Sequence, residues 1–169
     1  MSATPTTSAR TAPIDTGKVT GRRELRFERI EDILADTERL AQSGYEQLGN
    51  WSLGRICRHL ATTMRMGLDG AGRLQPWFVR LLARRVYLSK VLNHGMRAGF
   101  KVPAKLIAVI APEARDDDEG LAELREVLGR WSREPQRHPH AFFGTLSPEQ
   151  WNTLSLRHAE MHLSFLRPR

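Results

Sequence analysis

The chain has 169 residues with a single cysteine, and its 26 Lys and Arg against 19 Asp and Glu give a formal net charge of +7. At this length one domain buries about 70% of the surface of the unfolded chain, and the lone Cys57 excludes an internal disulfide and any paired-cysteine zinc or redox motif. The basic balance favours anionic partners without choosing among nucleic acid, lipid headgroups and small acidic substrates.

The first 21 residues are rich in Ser, Thr, Ala and Pro and lack the continuous apolar segment of a secretory signal. They predict a disordered basic leader, residues 1–21, ahead of a single helical-bundle domain over residues 22–169. Arginines at 80, 84 and 85 interrupt the longest apolar segment, so no membrane span is expected. The lone cysteine favours a reducing, cytoplasmic compartment.

Two amphipathic helices are predicted first along the chain. Apolar residues at helical spacing predict one helix over Phe27–Leu40 and a second over Leu53–Leu68. The second has Asn50 or Ser52 as its N-cap, and Gly70 as its stop. Gly54, inside it, lowers the helix propensity and allows close packing.

A third helix and a less regular segment follow. Pro76 opens the third helix, which is predicted to end around Asn93–Gly95. Residues 95–118 contain a short apolar run with prolines at both sides, and they predict an irregular connection.

The two remaining helices are better marked. An acidic start and apolar residues at helical spacing predict a fourth helix over 116–134. In the last helix Ser147 is the N-cap, Pro148 is at N1 and Gln150 completes a capping box, while Pro168 sets the end. No segment alternates apolar and polar residues as a strand would. The sequence therefore predicts an all-α bundle.

Two histidines lie at the centre of the apolar face of the last helix. His158 and His162 are four residues apart, a spacing that brings both imidazoles to one side of a helix. The acid in "HAEMH" does not complete a metalloprotease motif, because Glu160 points roughly 160° to 200° away from them. A third imidazole is available on the second helix, where His59 lies at the rim of the apolar face. Cys57 points away from His59, and we expect it to be a small buried side chain.

Structural interpretations of the same residues stay open. Two histidines at this spacing are also typical of side chains that make separate hydrogen bonds and form no common site. The other three histidines, His94, His138 and His140, are predicted to lie in loops, and the Trp and Phe residues in the core. Asp69 either contacts the site or is a solvated residue of a turn.

Two segments of the chain resemble a known superfamily. "LGNWSLGRICRHLA" (48–61) and "HPHAFFGTLSPEQWNTLSLRHAEMHLSFL" (138–166) are similar to the signature blocks of an uncharacterised, domain-of-unknown-function branch of the DinB/YfiT-like proteins, a superfamily considered to contain metal-dependent enzymes. The resemblance runs from Arg22 to the last residue. It implies a four-helix bundle of the up-down-down-up type, with an extra short helix or long loop. It also implies a divalent metal bound by His59, His158 and His162.

The expected function is that of a small metal-dependent enzyme. Three imidazoles leave a coordination position open, as catalytic zinc sites do, and an all-nitrogen site favours zinc or nickel. Better-studied relatives use mycothiol, bacillithiol or glutathione, so the resemblance implies a low-molecular-weight thiol as cofactor. The expected partner is a small anionic substrate, with no membrane partner and with a homodimer left open.

Two alternatives remain from the sequence. One is a non-catalytic metal-binding bundle. The other, less favoured, is a basic module for nucleic acid or an acidic partner, which would use a stripe of basic residues on and after the third helix: Arg80, Arg84, Arg85, Arg97, Lys101 and Lys105.

Overall fold

The computed structural model describes residues 13–99, 107, 109–111 and 116–169, and this part of the chain is mostly helical with one small sheet. The third helix, labelled α3, runs without interruption through a π-helical segment in its middle. In chain order the elements are a 3-10 turn Thr16–Lys18, α1 Ile30–Ser43, β1 Tyr45–Gln47, α2 Leu53–Asp69, α3 (Trp77–Ala83, the π segment Arg84–Leu88 and Ser89–His94), α4 Asp117–Arg133, α5 Pro148–Leu163 and β2 Leu166–Pro168.

The capping residues place the helix ends where the sequence predicted them. Ser52 caps α2, since its hydroxyl accepts a hydrogen bond from the Arg55 backbone N–H, and the helix ends at Gly70 with a φ of 95°. Ser147 and Gln150 form the predicted capping box of α5. Local hydrogen bonds thus fix both helices that carry the predicted site.

The first helix begins at Ile30, three residues later than predicted. The backbone N–H of Phe27 donates to the Glu160 carboxylate at 2.5 Å, and its carbonyl accepts from Arg157 at 2.6 Å. The Asp32 carboxylate then accepts from the backbone of Arg29 at 2.9 Å, at the start of the helix. Phe27 is therefore held in an extended segment against α5.

A short antiparallel ribbon was not predicted. β1 pairs with β2 in the register Tyr45 with Pro168, Glu46 with Arg167 and Gln47 with Leu166. Three residues per strand are too few to show alternation, and a two-stranded ribbon needs packing to be stable. Leu166 supplies that packing because it is fully buried. The prediction that Pro168 sets the end of the last helix was wrong, since α5 ends at Leu163.

The core lies between α1, α2, α4 and α5. Gly54 of α2 and Gly120 of α4 face each other without side chains, so the two backbones approach closely there. Cys57 is buried as predicted. The prediction that all Trp and Phe residues lie in the core was wrong for Trp77 and Phe78, which α3 exposes, and for Phe142, which is also exposed.

Two predicted segments lie partly outside the described residues. The first twelve residues of the predicted leader lie outside them, while residues 13–21 contain the 3-10 turn, and the Asn50 side chain bonds the backbone of Ile14. In the predicted connection over 95–118, the described residues Val109 and Ile110 have helical geometry. No helix in the described ranges is long and apolar enough to cross a membrane.

Candidate metal centre

The three histidines predicted as ligands lie together between α2 and α5. His59 belongs to α2, and His158 and His162 lie on successive turns of α5. The Nε2 atom of His158 is 3.0 Å from Nε2 of His59 and 3.1 Å from Nε2 of His162. One ring nitrogen of each histidine lies within 4.8 Å of the others. The cluster is compatible with a metal site.

A backbone carbonyl fixes the protonation of His59. Its Nδ1 lies 2.6 Å from the carbonyl oxygen of Ile110. Because a carbonyl only accepts, Nδ1 must carry the hydrogen, and in the neutral ring Nε2 then has a free lone pair. Histidines that bind metals commonly donate their second ring N–H to a carbonyl or carboxylate in this way.

All three rings are held in the neutral form. Burial lowers the pKa of His59 to about 4, with a smaller contribution from the positive charge of Arg55. Burial also lowers the pKa values of His158 and His162 well below the usual range. Neutral imidazoles offer lone pairs to a metal without first losing a proton.

An indole forms one wall of the cluster. The Trp51 ring stacks on His162 with centroids 5.0 Å apart and an angle of 7°, and it meets the edge of His59 at 5.1 Å. Trp51 directly precedes the N-cap Ser52, so the residue that starts α2 also places the indole. His59 is 3% exposed, whereas His158 and His162 keep part of their surface in solvent. The cluster is therefore open on the α5 side.

Two guanidinium groups flank the cluster. Arg55 lies over the Trp51 ring at 5.1 Å. Arg22 donates to the Ser164 hydroxyl at 2.6 Å and lies over the Phe165 ring at 4.1 Å. Burial lowers the pKa of His162 most, followed by His158 and His59, and the charge of Arg22 makes a further, smaller contribution. Two cationic groups thus lie beside the neutral imidazoles.

The histidine cluster does not include three other residues considered from the sequence, Glu160, Asp69 and Cys57. Glu160 is buried and pairs with Arg157 at 3.2 Å, away from the histidines, and burial raises the pKa of its carboxyl group. Asp69 is the last residue of α2 rather than a turn residue, and it is half-exposed and pairs with Arg130 at 2.7 Å. Burial raises the pKa of the Cys57 thiol, which disfavours the thiolate.

The predicted loop histidines differ from one another. His138 is exposed in a loop, but His94 is the last residue of α3, so its loop prediction was wrong. His140 lies in a loop yet is partly buried, and it contacts the Trp151 ring with centroids 5.2 Å apart. Its Nδ1 accepts hydrogen bonds from the backbone N–H groups of Phe142 and Phe143, both at 3.1 Å. His140 is thus a packed, neutral side chain.

Sequence reasoning missed Trp51, Ile110 and Arg22 as parts of the site. Trp51 stands in the segment that resembles the superfamily, eight residues before His59, which offered a weak signal. Ile110 acts through its carbonyl oxygen, which any residue carries, and Arg22 lies far from the histidines along the chain. No sequence pattern marks these two.

The fold and the site together define a class of protein, namely a mostly helical chain in which three imidazoles converge. The family model described as "Protein of unknown function (DUF1569)" matches residues 19–169, so the chain belongs to this family. No curated protein and no solved structure matches the chain.

Proposed function

We propose that this protein is a DinB-like enzyme that uses a divalent metal, zinc or nickel, to transfer or cleave a group on a small anionic substrate. His59, His158 and His162 would hold the ion. The observation that carries the proposal is the convergence of three Nε2 atoms, one of them with its lone pair fixed by the Ile110 carbonyl.

The hydrogen bonds available to the cluster support a cation. His158 Nε2 has close contacts with both other rings, but a single N–H donates well along only one of them. Since Nε2 of His59 carries a lone pair, the remaining contact is poorly satisfied in every neutral arrangement. An unsatisfied buried polar group costs about 1–3 kcal/mol. A cation that accepts all three lone pairs removes this conflict.

The spacing of the nitrogens also suits a metal. Three nitrogens bound at about 2.0–2.1 Å to one tetrahedral zinc lie roughly 3.3 Å apart. The two short separations, 3.0 and 3.1 Å, are close to this value. Small rotations of the rings would be enough to complete the site.

The side chains around the cluster would position a substrate. When bound, a divalent ion would act as a Lewis acid and favour the deprotonated form of a water or thiol ligand. Arg22 and Arg55 supply positive charge beside the rings, which favours an anionic substrate. Trp51 shields one side of the cluster from water. The superfamily resemblance supports a low-molecular-weight thiol as cosubstrate.

Metal content tests the proposal directly. The purified protein is loaded with zinc or nickel, passed through a desalting column and analysed for bound metal, with circular dichroism to confirm folding. We expect about one ion per chain, strongly reduced in His158→Ala and in the more conservative His59→Gln. His94→Ala is the matched control, because His94 is exposed at the end of α3 and should leave the metal content unchanged.

Two results would overturn the proposal. One is a folded wild-type protein that retains no divalent metal after loading. The other is equal metal content in the wild type, His59→Gln and His158→Ala. Retention of metal without turnover of any thiol or ester substrate would instead favour the non-catalytic bundle.

A further inference from the structure

Helix α3 exposes an unusual number of large apolar side chains. Of its residues only Leu88 is buried, and Trp77 and Leu82 are 68% and 65% exposed. We call the exposed set on this helix, together with Leu74 just before it, the α3 patch: Leu74, Trp77, Phe78, Leu81, Leu82, Val86 and Tyr87. Large exposed apolar side chains clustered along one helix mark a binding surface.

The charge of the same segment is entirely basic. Between Gly70 and Pro112 there are eight Lys and Arg residues and no Asp or Glu. The rest of the chain carries 18 basic and 19 acidic residues, a net charge of −1. The positive charge of the protein therefore resides in the segment that bears the α3 patch, where Arg85 and Lys90 are exposed.

We propose that α3 binds the surface of an anionic lipid bilayer, independently of the metal site. A helix with exposed Trp, Phe and Leu beside basic residues lies in the bilayer interface, with its apolar side chains among the acyl chains and its cations among the headgroups. Trp and Tyr favour this interface. The expectation of no membrane partner rested on the lack of a spanning segment, which a helix lying on the surface does not need.

The charge pattern favours lipid over two other occupants. A second copy docking through this face would bring basic residues against basic residues, with no acid in the segment to pair them. Nucleic acid would use the cations but not the aliphatic Leu81 and Leu82. Arg84, part of the predicted basic stripe, instead donates to the carbonyl oxygens of Phe143 and Thr145. Lys101 and Lys105 of that stripe lie outside the described residues.

Co-sedimentation with vesicles tests this surface. The full chain is mixed with vesicles of phosphatidylcholine alone or of phosphatidylcholine with phosphatidylserine, at low and high salt. We expect binding to the anionic vesicles only, weakened by salt. The double variant Phe78→Ser, Leu82→Ser should bind about tenfold more weakly, because two large side chains no longer enter the acyl region.

Matched variants distinguish a specific role of the α3 patch from a general loss of apolar surface or positive charge. Val109→Ser removes an apolar side chain that is 60% exposed outside α3, and it should bind as the wild type does. Arg85→Gln should weaken binding to anionic vesicles, whereas Arg133→Gln, an equal charge change on α4, should not. All five altered positions are exposed, so the variants should fold.

Three results would overturn the proposal. The first is no binding of the wild type to anionic vesicles at low salt. The second is equal binding by the wild type and the Phe78→Ser, Leu82→Ser variant. The third is a dimer in size-exclusion chromatography that this variant abolishes, which would assign the α3 patch to a second copy.

Discussion

Replacing Gly120 by alanine is expected to separate two helices that now touch through their backbones. A Cβ atom on Gly120 would overlap the carbonyl oxygen of Gly54 and lie 2.6 Å from its Cα. A Cβ on Gly54 would in turn lie 2.9 Å from the Cα of Asp117. These neighbours are backbone atoms, which cannot rotate away as a side chain can. The alanine fits only if α2 and α4 move apart.

The magnitude follows from two opposing contributions. In a helix interior alanine is more favourable than glycine by about 1 kcal/mol. Overpacking a tight contact costs about 1–3 kcal/mol, and moving two backbones belongs at the upper end of that range. We therefore expect Gly120→Ala to lower the free energy of unfolding by about 2 kcal/mol. The packing cost outweighs the gain in helix propensity, so the net effect of the substitution is destabilising.

Gly129, on the same helix, provides the control. A Cβ there would meet only the end of the flexible Arg133 side chain, at 3.3 Å. Gly129→Ala should raise the free energy of unfolding by up to about 1 kcal/mol, since propensity acts almost alone. Urea unfolding followed by circular dichroism measures both variants. Equal shifts of the two midpoints, or a stabilised Gly120→Ala, would refute the close approach of α2 and α4.

Two pH-dependent predictions concern titratable side chains whose pKa values are lowered in the folded protein. Burial raises the pKa of Asp36, but hydrogen bonds from Arg23 and Arg39 outweigh it and hold the pKa below its usual range. This stabilisation is present above about pH 4 and lost as the pH falls through the folded pKa, so Asp36→Asn should cost about 3 kcal/mol in urea unfolding at neutral pH and less in acid. Burial lowers the pKa of His140 to about 4, below the value of about 6.5 in the unfolded chain. The unfolded chain then binds the proton first, so stability should fall by up to about 3 kcal/mol between about pH 6.5 and pH 4, and His140→Gln should reduce that fall. If the free energy of unfolding of either variant changes with pH as that of the wild type does, the pKa shift assigned to that residue is contradicted.

The helices were predictable because their ends depend on neighbouring residues. Ser52 and Ser147 each cap the helix that starts one residue later, and Gly70 supplies the positive φ that ends α2. Such interactions span three or four positions and leave a pattern in the sequence. The ribbon of β1 and β2 depends instead on pairing Tyr45 with Pro168, far along the chain, and no local pattern announces it.

The candidate site was likewise predictable only where it depends on local helical geometry. The spacing of His158 and His162 follows from helical geometry, which also excluded Glu160. The distance from His59 to this pair depends on how α2 packs against α5, so the sequence offered His59 only as a candidate. The Ile110 carbonyl that fixes the His59 ring could not be predicted, because every residue carries a backbone carbonyl oxygen.

The helical periodicity showed which side chains share a face of α5, but not that both faces are buried. Arg157 and Glu160, opposite the histidines, are 3% and 8% exposed and bind the backbone of Phe27. On the same segment of the chain, Arg22 donates to the carbonyl of Met161 at 3.1 Å. These long-range bonds restrain the rotation of α5 about its axis. The segment before α1 therefore fixes the direction in which the last helix presents its imidazoles, although it contributes no ligand of its own.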